Sequence, residues 1–262
     1  MRTARRSGLK NKETKKMKKY ELTSETKVIN GVVLHRIKAL NSFGNIYEGD
    51  LGGWIESEKN LSQYGNAWVE GNAEVRGNAI VSENATVSEN ATVSGNAWVE
   101  GNATVSGNAT VEDNAEVRGF ATVNKNAMIR GNAMVYNNAW VCGFATIYDN
   151  AEVRGNATIS ENAKVGENAK VGGNAKVGGN AVVRGNAVVR GNADFIVFKN
   201  WWSSGRYFTW TRSNNKWEVG CFYGSGEELI AKAYKDSAKS GREYERVVKY
   251  VESILKEENN NK

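Results

Sequence analysis

The chain contains no proline, one histidine and two cysteines in 262 residues. Two cysteines cannot staple a secreted disulfide scaffold, and with a single histidine they make no zinc site of the cysteine or histidine type. Twenty-eight glycines without proline exclude collagen. No run of about 18 apolar residues is available to span a membrane, and the charged amino terminus lacks the apolar stretch of a secretory signal. These absences give a cytoplasmic expectation, with Cys142 and Cys221 reduced. A hydrophobic share of 40% is too high for a disordered polypeptide, so the chain folds.

The formal charge of +6 sits at one end. Arg2, Arg5, Arg6, Lys10, Lys12, Lys15 and Lys16 stand against Glu13 alone, and the remaining residues balance 28 basic groups with 28 acidic ones. Residues 1–19 therefore read as a solvated basic tail rather than a nucleic-acid arm. Lys12-Glu13 can be encoded as a ribosome-binding sequence three codons before Met17, which makes Met17 an alternative natural start.

From Gly65 to Arg190 the sequence divides into 21 hexads without insertion, on the unit G-N-A-x-V-x. The third slot is Ala in all 21 and the fifth is Val or Ile in all 21; the second is Asn in 19, the exceptions being Phe120 and Phe144. Ala and Val two apart share one side of an extended segment, so each hexad reads as one short strand pointing both inward. The Gly-Asn pair supplies a corner, because both residues tolerate positive φ, and stacked Asn side chains can hydrogen-bond along the axis. Three edges close a triangular coil of 18 residues, and seven coils make a rod roughly 33 Å long at the spacing of adjacent strands.

This pattern, an aliphatic residue followed four places later by a small one as in Val69 to Ala73, resembles the hexapeptide-repeat family. The resemblance implies a mainly β fold, a left-handed parallel β-helix over residues 65–193. Upstream, residues 20–64 read as an amino-terminal β cap: a hairpin on Asn30-Gly31, then Gly52-Gly53-Trp54-Ile55 and Leu61-Ser62-Gln63, with Ile55 and Leu61 at six-residue spacing from Ala67. This segment resembles the cap of bacterial and prophage hexapeptide proteins carrying a G-G-W, L-S-Q, W-[IV] signature. Downstream, residues 194–262 read as a small α+β domain. Its strands are Phe195–Phe198, Tyr207–Trp210 and Trp217–Tyr223, and two helices follow with capping boxes at Ser225/Glu228 and Ser240/Glu243. Gly205-Arg206-Tyr207-Phe208 and Cys221-Phe222-Tyr223 resemble a terminal domain of phage-encoded repeat proteins, a likeness that implies no activity.

Many members of the hexapeptide family are acyltransferases with a histidine general base beside the prism. Here the sole histidine, His35, lies in the cap, and no acceptor loop interrupts the hexads, so acyl transfer with acetyl-CoA stands as the alternative with His35 as its only obvious base. Glu74, Glu116 and Glu152 beside Arg76, Arg118 and Arg154 read as surface pairs. No cofactor and no metal are expected. Outward Thr-x-Ser pairs (Thr86/Ser88, Thr104/Ser106, Thr158/Ser160) resemble ice-binding arrays, but Trp68, Trp140 and Lys176 interrupt the column.

Phe120, Met128, Met134, Tyr136, Trp140, Phe144 and Tyr148 form the one apolar concentration at outward and corner positions. Sister prisms of a homotrimer, the chain's own terminal domain or a separate macromolecule are the coverings it invites. The expectation is a non-catalytic, phage-type scaffold that binds a protein partner, by inhibition or sequestration of a host factor, through its terminal domain. Trp201, Trp202, Arg206, Tyr207 and Trp210 are the candidate contacts, since such residues anchor interfaces; the same aromatics could instead form that domain's core.

Overall fold

The structure, a computed structural model, describes residues 18–260. The expectations for the basic tail and for Met17 lie outside the described residues, with the exception of Lys18 and Lys19. Lys19 corrects the boundary drawn at residue 19, because it is buried in the cap.

Each of the 21 hexads forms one two-residue strand, from β4 (Trp68–Val69) to β24 (Val188–Val189). They stack in parallel, 18 residues apart, into three walls of seven strands. In chain order the walls are I, starting with Trp68, II, starting with Glu74, and III, starting with Ile80. Every repeat Ala and every repeat Val or Ile is essentially without solvent contact, so the interior is as the hexad implies. The corner differs in one detail. Positive φ belongs to the first slot alone, held by Gly or by Glu83, Glu89, Asp113, Lys125, Asn137, Asp149, Glu161 or Glu167. The second-slot Asn is left free to build ladders, such as Asn78 to Asn96 to Asn114 to Asn132 to Asn150 to Asn168 on the corner between walls II and III.

At each end of a parallel solenoid the outermost coil has strand N–H and C=O groups that no further coil can satisfy, so the caps must supply partners for them. At the first coil the cap donates to one outward alanine carbonyl on each wall. The Lys19 ammonium reaches Ala67 O at 2.8 Å, the Trp54 N–H reaches Ala73 O at 2.9 Å, and the Asn60 amide reaches Ala79 O at 2.9 Å. At the last coil side chains accept, one per wall: Asn192 Oδ1 takes the Lys176 N–H at 2.8 Å, Thr209 Oγ1 takes Val182 at 2.9 Å and Ser213 Oγ takes Val188 at 2.6 Å.

The amino-terminal cap is the expected hairpin, β1 (Tyr20–Ile29) and β2 (Val32–Ala39), on a turn with Asn30 and Gly31 both at positive φ. Strand β3 (Leu51–Ile55) pairs with β2 and continues wall II. Its two glycines are required by close approach: a side-chain carbon on Gly52 would fall 2.5 Å from Ile37 Cγ1 and 2.6 Å from Val69 O, and one on Gly53 2.8 Å from Ala73 O. Ile55 and Leu61 lie under Val75 and Val81, not in register with Ala67; Leu61 and Val69 are eight residues apart, and the extra two let the chain cross the open end.

At the other end, β25 (Phe195–Lys199), β26 (Tyr207–Thr211), β27 (Lys216–Val219) and β28 (Phe222–Gly224) form an antiparallel meander. The third strand read from sequence is therefore two strands, separated where Gly220 turns at φ 60°. Alternation sorts the faces: Phe195 and Val197 pack on the solenoid, while Ile196, Phe198, Phe208, Trp210 and Trp217 pack with the helices. Helix α1 (Gly226–Asp236) carries the expected capping box at Ser225 and Glu228. Helix α2 (Ala238–Asn260) starts earlier than Ser240, whose N–H is held by Ser237 Oγ at 3.0 Å.

Candidate functional site

The apolar residues between positions 120 and 148 form a belt rather than one face. Met128 lies on wall II, Met134 on wall III and Trp140 on wall I, while Phe120 and Phe144 occupy the two corners flanking wall I. Phe120 is 65% exposed, Phe144 64% and Trp140 47%; Met128 is also exposed. Met134, Tyr136 and Tyr148 are half-buried, and the two tyrosines lie under arginines, Arg118 at 5.2 Å from the Tyr136 ring and Arg130 at 6.0 Å from that of Tyr148. Tyr148 lies over Gly166, where any side chain would collide with its ring.

The two corner phenylalanines break two of the three asparagine ladders. Asn84 donates to Asn102 at 3.3 Å and the series resumes only at Asn138 with Asn156; on the next corner Asn108 donates to Asn126 and the link then stops.

The five candidate contacts of the terminal domain divide. Trp202 and Trp210 are buried, Trp202 edge-on to Tyr244 at 5.1 Å and Trp210 donating its indole N–H to Asn215 at 2.9 Å, so as contacts they are corrected to core. Trp201, Arg206 and Tyr207 face solvent. The reason is the two-residue period of β26, which sends Phe208 and Trp210 to the helices and Tyr207 the other way.

Two of those exposed residues meet the belt. Between the solenoid and the terminal sheet runs a groove of about 540 Å³, lined on the rod side by Phe144, Lys164 and Val182 and on the sheet side by Arg206, Tyr207 and Glu218. Sequence reasoning placed Phe144 and Tyr207 in separate sites and missed Lys164 and Glu218; the wall II spacing from Thr146 to Lys164 to Val182 was the available signal. Glu218 is buried and ion-paired with Arg184, which also bonds Glu167 at 3.2 Å. Burial pushes the Glu218 carboxyl up to about 7, against the opposing pull of Arg184. On the next face, Arg154, Lys170 and Arg190 line a second groove of about 290 Å³. Lys170 is held by Glu152 at 2.7 Å, and that carboxyl, bonded by Lys170 and by Tyr136, is lowered.

His35 lies at the far end of the rod from this groove, half-buried on β2 opposite Thr26 and Ile55. Cys142 is nearly buried and its thiol is pushed up chiefly by burial, the opposite of what a nucleophile needs, while Cys221 is exposed. Among the described residues no group of three potential metal ligands occurs, and no helix is long and apolar enough to cross a membrane.

These features define a β-solenoid of hexapeptide repeats, closed at both ends and carrying a small α+β domain. Residues 129–143 match the family model described as the YdcK beta solenoid repeat. The chain is also similar to a protein of Escherichia coli (strain K12) named "Uncharacterized acetyltransferase YdcK", with 34% identity over 61 residues. That match covers 20% of this chain, and the chain spans about a fifth of that relative's length.

Proposed function

We propose that the protein is a non-catalytic binding scaffold in which wall I of the rod and the two corners that flank it present a macromolecular contact surface. The observation that carries the reading is the pair Phe120 and Phe144. Each replaces a ladder asparagine with a ring about two-thirds exposed to solvent, which gives up hydrogen-bond links and returns little burial to the fold. Together with Trp140 they supply the aromatic anchors that binding surfaces favour.

The test is to restore the ladder. Affinity capture from host extract with wild-type protein and with Phe120→Asn/Phe144→Asn is expected to retain a protein that the variant loses while the variant melts no lower. A variant that captures the same protein equally well overturns the reading.

Acetyl transfer is a second reading, favoured by the likeness to an E. coli protein named an acetyltransferase. With a histidine as general base it would use His35, the chain's one histidine, and a cofactor site beside the amino-terminal cap.

A further inference from the structure

The body of the chain is electrically neutral only on average. Residues 18–153 carry ten basic side chains against sixteen acidic ones, and residues 154–212 nine against three. The rod is thus acidic over most of its length and basic in its last coils and the first strands of the terminal domain. The groove between rod and sheet lies in this basic segment.

Its lining combines two kinds of group. Phe144 on the solenoid and Tyr207 on the sheet are both exposed aromatics, facing the same groove from the two bodies that form it. Lys164 and Arg206 bring two cations, and neither enters an ion pair among the described residues. The one carboxylate in the lining, Glu218, is engaged by Arg184, so it does not cancel them. Clefts where two structural units meet are where proteins most often receive a ligand, and an anchor residue next to a charge of one sign selects a partner offering an apolar side chain beside the opposite charge.

We infer that this groove binds an extended protein segment in which carboxylate side chains alternate with aromatic or aliphatic ones. The carboxylates meet Lys164 and Arg206, and the apolar side chains seat between Phe144 and Tyr207. The inference rests on the scaffold reading and adds the chemistry of the partner.

The probe is a random copolymer of glutamate and tyrosine, titrated into the full chain at low and moderate salt. Polyglutamate of equal length and a single-stranded DNA oligonucleotide of equal charge serve as comparisons. The copolymer is expected to bind at least tenfold more tightly than either, and to weaken with added salt. Phe144→Asn/Tyr207→Thr and, separately, Lys164→Glu/Arg206→Glu are expected to cost tenfold or more; all four side chains are on the surface, and melting curves verify that the variants fold. Arg154→Glu/Arg190→Glu in the neighbouring groove is expected to leave binding within twofold.

Absence of copolymer binding overturns the inference, as do equal affinity for polyglutamate, which needs charge alone, and equal or tighter binding of DNA. Loss of binding in the neighbouring-groove variant with none in the two groove variants overturns it as well. If the copolymer fails while the wild-type chain still captures a protein that Phe120→Asn alone loses, the groove assignment falls and the scaffold reading stands.

Discussion

Replacing Thr209 by valine tests whether side-chain acceptors of the terminal domain close the last coil of the rod. Valine keeps the shape of threonine and removes the hydroxyl that accepts the Val182 N–H at 2.9 Å. Thr209 is buried, with the terminal sheet lying over the last coil, so water cannot replace the lost acceptor without opening that contact. An N–H left unpaired in such a place costs about 1–3 kcal/mol. For a chain of this size roughly 2–4 °C of melting temperature accompanies each kcal/mol, so a central value of about 2 kcal/mol lowers the midpoint by about 4–8 °C. Because a stacked repeat loses stability locally before it loses it globally, the amides of Lys176, Val182 and Val188 should exchange faster, while those of the middle coils change little. Thr209→Ser retains the acceptor and should recover most of the loss. An unchanged midpoint together with unchanged exchange at Val182 would refute the end-cap argument.

Phe120→Asn rejoins Asn102 to Asn138 through two new side-chain links of the kind seen between Asn138 and Asn156, and is expected to stabilise the fold by about 1–2 kcal/mol; a lower melting point in differential scanning calorimetry contradicts this. Burial lowers the Lys19 ammonium to about 8 from its ordinary 10.5. Between those values the unfolded chain binds more protons, so stability should rise with pH across that window relative to Lys19→Met; urea unfolding at pH 7, 9 and 10 that shows a falling difference contradicts it. Glu218 runs the other way. With its carboxyl at about 7 when folded and an ordinary value of 4.5, the folded chain holds the extra proton between them, so wild type should lose stability relative to Glu218→Gln from pH 5 to pH 8, and a gain refutes the assignment.

The hexad made the solenoid legible because its two inward slots repeat without exception, and a period of six admits one register for every wall. The cap glycines were legible as a signature, and their reason is the strand lying flat across the first coil against Val69 and Ala73. Where the period ended, so did the precision. Tyr207 to Trp210 is aromatic at three of four positions, which hides the alternation that buries Phe208 and Trp210 and leaves Tyr207 out. Gly220-Cys221 breaks an apolar run with a turn whose signal is one positive φ. Ser237 displaces Ser240 as the cap of α2 because α1 ends only one residue earlier and the next helix begins at once, so the earlier of two closely spaced serines takes the cap. The belt was recoverable in principle, since counting by 18 sends Met128, Met134 and Trp140 to three different walls. The meeting of Phe144 with Tyr207 was not, because it depends on how the terminal sheet docks over wall II.

The proposed function is that the rod displays a binding surface and performs no group transfer. Isothermal titration of the full chain with acetyl-CoA tests it most directly, and the expected result is no saturable heat at micromolar to millimolar cofactor. Saturable binding accompanied by acetyl transfer that His35→Ala abolishes, in a variant melting as wild type does, would contradict it.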